Sequence, residues 1–173
     1  KALLKGKITL LAPVLAAPKI ICVGLNYVDH AAESPYKNAP TYPVLFNRFN
    51  STLIGYGAPL IRPLCSEQFD YEGELVAVIG KRGRHIAKDK ALSYVAGYSV
   101  FNDASVRDYQ FKSTQWLMGK NFDATGAFGP DFVTSDEVPA GASGLQLKTR
   151  LNGQVMQNAN TKDMIFDIAT LVA

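Results

Sequence analysis

The chain has 173 residues, 47% of them hydrophobic and 19% charged, with a formal net charge of +3. That length builds one domain with a sizeable core, and the composition is that of an ordinary soluble globular protein. The charge balance excludes a nucleic-acid arm, since the basic run KRGRH (81–85) is short and reads as a solvated turn after a strand.

No apolar run is long enough to span a bilayer. The opening KALLKGKITLLAPVLAAPK starts basic and turns apolar, but Lys5, Lys7 and Pro13 interrupt it, which argues against a signal peptide. Cys22 and Cys65 form no C-x-x-C pair and lie near no histidine at zinc-like spacing. Reduced thiols and a cytoplasmic location are expected.

In chain order, KITLLAPV (7–14) and KIICVG (19–24) read as short strands, the first making residues 1–18 a short N-terminal strand segment. A loop and a helical turn through DHAAE (29–33) follow, stopped by Pro35. VLFNRF (44–49) is a candidate strand and GYGAP (55–59) a turn. YEGELVAVIG (71–80) is the best strand of the chain. KDKALSYV (88–95) predicts a short helix, AGYSVFND (96–103) a strand, and ASVRDYQF (104–111) one or two helical turns. LQLKTRLNGQVMQ (145–157) reads as a hairpin turned by Asn152-Gly153. Thr161 is placed to cap KDMIFDIATLV, whose apolar residues at 164, 165, 168, 169 and 172 follow helical spacing. Many short strands with few short helices predict a β-rich α+β domain and not an alternating βαβ fold.

Glu72 and Glu74 stand two apart in the best strand and therefore share a face with Val76 and Val78. Two buried like charges repel, so the pair is resolved by exposure, by a cationic partner or by a bound metal. Asp103 ends another predicted strand and can add a third oxygen ligand. Three carboxylates without cysteine or clustered histidine suit a hard divalent cation, Mg²⁺ or Mn²⁺. Gly73, between the glutamates, leaves the opposite face bare for close approach.

His30 and Glu33 are three apart, so on a helical turn the carboxylate orients the imidazole, the arrangement of a general base; a surface ion pair gives the same pattern. Lys120, after Gly119 in GKNFD (119–123), is either a surface lysine or a charge that polarises a carbonyl.

Taken in order, VGLNYVDHAAE (23–33), PVLFNRFNSTLIG (43–55), YEGELVAVIGK (71–81), YVAGYSVFNDASVRDYQ (94–110), GKNFD, Gly129-Pro130, NGQVMQ (152–157) and MIFDI (164–168) resemble the fumarylacetoacetate hydrolase family. The resemblance implies a catalytic domain over 19–173 with a mixed β-roll or incomplete barrel of that family's C-terminal-domain type, a few short peripheral helices, and a homodimer. It implies Mg²⁺ or Mn²⁺ on Glu72, Glu74 and Asp103, a water-activating dyad of His30 and Glu33, and Lys120 polarising the substrate. Arg107 and Gln110 match positions near the substrate. Arg48 stands where relatives commonly carry lysine in an F-x-K pattern, which changes the geometry of any substrate contact. Relatives continue past MIFDI with further strands and a TGTP-type loop, so a truncated pocket is expected.

The expected reaction is metal-dependent hydrolytic C–C cleavage of a β-diketo acid such as an acylpyruvate or fumarylpyruvate, through a metal-bound enolate. The same site supports an alternative, oxaloacetate decarboxylation or hydration and isomerisation of 2-oxo acids. A catalytically silent metal-binding domain is the reading of another class.

Overall fold

The computed structural model describes residues 8–29 and 39–173. In chain order the strands are β1 (Ile21–Gly24), β2 (Val44–Asn47), β3 (Leu53–Ile54), β4 (Phe69–Asp70), β5 (Gly73–Ile79), β6 (Val95–Asp103), β7 (Ser105–Val106), β8 (Gly126–Phe128), β9 (Val133–Thr134), β10 (Gln146–Leu151) and β11 (Gln154–Asn160). The α-helices that lie wholly within the described residues are short: α1 (Lys88–Ala91), α2 (Arg107–Gln110), α3 (Leu117–Lys120) and α4 (Ile168–Val172). None among the described residues is long and apolar enough to cross a membrane.

β6 organises the main sheet. It pairs antiparallel with β5 from Gly73↔Asn102 to Val78↔Gly97, with β8 through its C-terminal half and with β9 through its N-terminal half. β3 extends the sheet in parallel beyond β8. Alternation then sorts side chains onto two faces. One face meets a cluster of Val95, Tyr98, Ala142 and Ile168, with Leu75 and Ala77 packed against it. The other carries Val76 and Val78 against Ala12, Phe101 and Phe128. The sheet does not close into a barrel; β1–β2, β4–β7 and β10–β11 are separate two-stranded ribbons around it.

Two expected elements form differently. Residues 8–14 contain no strand. Pro13 offers no N–H and fixes φ, and the segment instead inserts Ala12 into the core while Leu10 and Leu11 stay exposed. The helix expected from residue 162 forms in two pieces: a 3-10 turn over Thr161–Asp163, capped by Asn160, and an α-helix from Ile168, capped by Asp167, whose Oδ1 accepts from Thr170 N at 2.7 Å. Thr161 is buried and spends its hydroxyl on Ala142 O and Leu145 N. Residues 164–166 are drawn out by Asn26 and Tyr27. Met164 bridges Tyr27, Ile165 N donates to Asn26 O, and the Asn26 amide clamps both Phe166 N and Phe166 O. Tertiary hydrogen bonding here overrides helical periodicity.

The β10–β11 hairpin turns at Asn152 (φ 52°) and Gly153 (φ 85°), both left-handed, as a two-residue primed turn requires. It packs across Gly73. The Gln157 amide accepts from Gly73 N at 2.9 Å and donates to Gly73 O at 2.7 Å, and Thr149 Oγ1 donates to Gln157 Oε1 at 2.9 Å. Side chains, then, make the close approach that the missing Cβ permits. A Cβ at Gly73 would collide with Thr149 Oγ1, so Gly73→Ala is expected to lower stability by about 1–3 kcal/mol, read from urea melts.

Candidate active site

The acidic residues gather where β5, the β6–β7 junction and α3 meet. The backbone aligns them: Asp103 N donates to Glu72 O at 2.8 Å, and Glu72 N donates to Asn102 Oδ1 at 3.1 Å. α3 then delivers Lys120 between the carboxylates, its Nζ donating to Glu72 Oε2 at 2.7 Å and Asp103 Oδ2 at 2.9 Å. The Phe46 ring lies 5.0 Å from that ammonium and is set edge-on against Trp116.

On one side, Arg107 contacts Glu72 Oε1 at 2.5 Å, and its Nε and Nη2 both donate to Asp70 Oδ2, at 3.0 and 2.7 Å. On the other side, Arg48 Nε lies 2.5 Å from Asp103 Oδ1, as an ion contact without hydrogen-bond alignment. The result is an unbroken series of alternating charge: Asp70, Arg107, Glu72, Lys120, Asp103, Arg48. Its side chains run from 46% exposed at Asp70 to 0% at Arg48. Three negative and three positive charges cancel.

Glu74 is the carboxyl left over. It has no hydrogen bond or ion pair to a described residue. Burial, and then the like charges of Glu72 and Asp103, push it up to about 8, with partial relief from Lys120. Burial also works against the Glu72 carboxylate, but Lys120 and Arg107, by charge and hydrogen bond, hold it below the ordinary range.

The structure brings Glu72, Glu74, Asp103, Lys120, Arg107 and Gln110 together. Gln110 is buried and accepts from Arg107 Nη1 at 2.9 Å. Arg48 lies beneath Asp103 and not on the open side of the cluster: Nη2 donates to Ala104 O and Thr125 O, and Nη1 to Thr52 Oγ1. Its geometry is that of a brace for Asp103. His30 and Glu33 lie outside the described residues.

Three neighbours were missed in the sequence. Asp70, two residues before Glu72, extends the same period-2 series and was legible there. Cys22 was weighed only for redox state, yet burial and then the charge of Asp103 push its thiol up to about 12. Tyr27 gave no separate signal; burial and then Glu74 push its phenol up to about 12.

Hard oxygen donors in this number fit Mg²⁺ or Mn²⁺. Two observations support the fit: Glu74 is a half-buried carboxyl with no hydrogen bond or ion pair to a described residue, and Asp103 Oδ1 lacks an aligned donor. Among the described residues no three His, Cys, Asp or Glu groups are spaced to hold a metal as they stand; Lys120 bonds to both Glu72 and Asp103 there.

Residues 19–173 match the family model for the fumarylacetoacetate (FAA) hydrolase C-terminal domain. The chain belongs to the fumarylacetoacetate hydrolase family. It is 42% identical over 171 residues to mitochondrial oxaloacetate tautomerase fahd2 of Xenopus laevis, covering 98% of this chain and 53% of that protein. It is 41% identical over 171 residues to mitochondrial oxaloacetate tautomerase FAHD2A of Homo sapiens, covering 98% and 54%. The chain thus spans about half the length of the curated relatives it matches.

Among solved structures, a fumarylacetoacetate hydrolase from Exiguobacterium antarcticum superposes with a TM-score of 0.86 at 39% identity, covering 98% of this chain and 60% of that one. A 5-carboxymethyl-2-hydroxymuconate delta-isomerase from Mycobacterium smegmatis gives 0.82 at 37% identity, covering 95% and 63%. Family members with these names include a tautomerase and an isomerase, not hydrolases alone.

Proposed function

We propose that the chain carries the acidic site of an enzyme acting on 2-oxo dicarboxylic acids, with oxaloacetate as first candidate and keto–enol tautomerisation as the reaction. The observation that carries this reading is the series of alternating charges, buried at its Lys120–Asp103–Arg48 end, with Glu74 beside it paired to no described residue. The names of the similar proteins favour proton relocation over the hydrolysis expected from the sequence, so the isomerase branch of the alternative becomes the main reading.

Glu72, Glu74 and Asp103 would hold a divalent cation, which when bound supplies Lewis-acid polarisation of a 2-oxo acid. Tautomerisation moves one proton between carbon 3 and the 2-oxygen, and negative charge gathers on that oxygen on the way. Lys120 is fixed at the cluster by two carboxylates and offers its ammonium to that charge. Arg107 and Arg48 keep Glu72 and Asp103 in place. His30, oriented by Glu33, is the candidate to hold the carbon-3 proton at an imidazole nitrogen. For location we retain a reducing compartment, on the two cysteines; the mitochondrial names of the vertebrate relatives fit it as well as the expected cytoplasm does.

The test mixes the protein and Mg²⁺ with enol oxaloacetate or with acetylpyruvate, following enol absorbance and products. The expected result is accelerated loss of oxaloacetate enol without pyruvate, and persistence of acetylpyruvate. Pyruvate from oxaloacetate moves the assignment to decarboxylation. Acetate and pyruvate from acetylpyruvate restore the hydrolase.

A further inference from the structure

We infer that Phe46 is a positioning residue of this site: its ring meets the Lys120 ammonium, keeps water off it and fixes where it lies. The inference rests on the role given to Lys120 in the proposed function and adds a residue that acts through it.

Lys120 is 1% exposed, so its ammonium has given up nearly all of its water. Glu72 Oε2 and Asp103 Oδ2 accept two of its N–H groups, at 2.7 and 2.9 Å, and among the described residues no other acceptor reaches it. What does meet it is the Phe46 ring, whose centroid lies 5.0 Å from Nζ. A ring face carries the negative side of the aromatic quadrupole, so it attracts an ammonium that has lost its hydration. An aliphatic wall excludes the water without that attraction.

The other cations of the series follow the same rule. Arg48, whose side chain is fully buried, has its Cζ 5.3 Å from the Phe101 centroid. Arg107, at 26% exposed, has no aromatic face among the described residues. Rings stand where the series is dry. Phe101 also belongs to the core cluster with Ala12 and Phe128, which explains it twice over. Phe46 is half-buried and belongs to neither core cluster, so the core does not account for it. It is nevertheless held in place. The β1–β2 ribbon sets it opposite Cys22, and the Trp116 ring lies edge-on to it at 5.9 Å. Trp116 is seated in turn on Gly24, where a Cβ would strike the indole.

Tautomerisation gathers negative charge on the substrate 2-oxygen, and a dry, fixed ammonium answers that charge more strongly than a hydrated, mobile one. Loss of the ring therefore lowers kcat and leaves KM steady.

The test places mono-, di- and trifluorophenylalanine at position 46, which drains the ring quadrupole at nearly constant shape, and adds Phe46→Leu and Phe46→Tyr. With Mg²⁺ and enol oxaloacetate, kcat is expected to fall stepwise with fluorine content, by about five- to thirty-fold in all. Phe46→Leu should fall as far, and Phe46→Tyr should stay near wild type. Urea melts in EDTA read the contact without the reaction: stability should follow the same fluorine series, and the series should flatten in a Lys120→Gln background.

A kcat independent of fluorine content overturns the inference, because the ring is then only a wall. A stability series that persists undiminished in Lys120→Gln overturns it too, because the ring then answers to packing and not to the ammonium. A wild type that turns over no enol fails the proposed function alone if the urea series is graded, and fails both if that series is flat.

Discussion

Asp103→Ala is expected to abolish the enzyme-dependent loss of oxaloacetate enol and to lower stability by about 3–5 kcal/mol. Asp103 is 3% exposed and answers two cations at once, Lys120 at 2.9 Å and Arg48 at 2.5 Å. Removing it leaves the Arg48 guanidinium buried with only neutral partners, Thr52, Ala104 and Thr125. The cost comes from that stranded charge more than from the lost contact. In a chain of this length the melting temperature should fall by roughly 10–15 °C. The double variant Asp103→Ala with Arg48→Met should recover part of the loss while staying inactive. A single variant within 1 kcal/mol of wild type would show that the series of charges is a surface feature and not a buried one.

Glu74→Gln is expected to act in the opposite sense on stability and in the same sense on function. The folded Glu74 carboxyl sits at about 8 against an ordinary 4.5. Between those values the folded protein holds a proton that the unfolded chain has released. Stability from this group is therefore full below pH 4.5 and drains away as pH rises toward 8. In EDTA, wild type should lose stability across that window, and Glu74→Gln should lose less, because its amide has no proton to release. Adding Mg²⁺ should stabilise wild type most at the alkaline end, where Glu74 is ionised, and should do little for the variant. Chemical denaturation at pH 5, 6.5 and 8, with and without Mg²⁺, measures both effects. Identical pH slopes for the two proteins in EDTA contradict the assignment.

The elements set by local chemistry were legible. The run at 71–80 could be read as a strand because β-branched residues alternate there, and it forms β5. Asn152-Gly153 demanded a primed turn and makes one. The elements that failed were decided by distant partners. Periodicity at 164–172 was truly helical, but Asn26 and Tyr27 supply hydrogen bonds that an extended 164–166 satisfies better. Residues 8–14 were apolar enough for a strand, yet they serve the core without forming one, with Ala12 clustered with Phe101 and Phe128 and Val14 packed against them.

The site divides in the same way. Glu72, Glu74 and Asp103 were readable because carboxylates in or at the end of core strands need an explanation; Lys120 was singled out only through the family resemblance, and its bonds to Glu72 and Asp103 appear only in the structure. That Arg48 braces Asp103 from beneath was not readable. The residue is 55 positions away in sequence and shows its role only through burial and through Ala104 and Thr125. The part played by Phe46 stayed hidden for a related reason, since a ring facing an ammonium can be seen only once both are placed.

The central claim is that Glu72, Glu74 and Asp103 form a cation site that in turn binds a 2-oxo acid. Calorimetric titration tests it most directly: Mg²⁺ into the protein, then oxalate into the loaded and the EDTA-treated protein. The account predicts one saturable Mg²⁺ site per chain and oxalate binding only to the loaded form. Oxalate binding of equal strength in EDTA, or no saturable Mg²⁺ uptake, would contradict it.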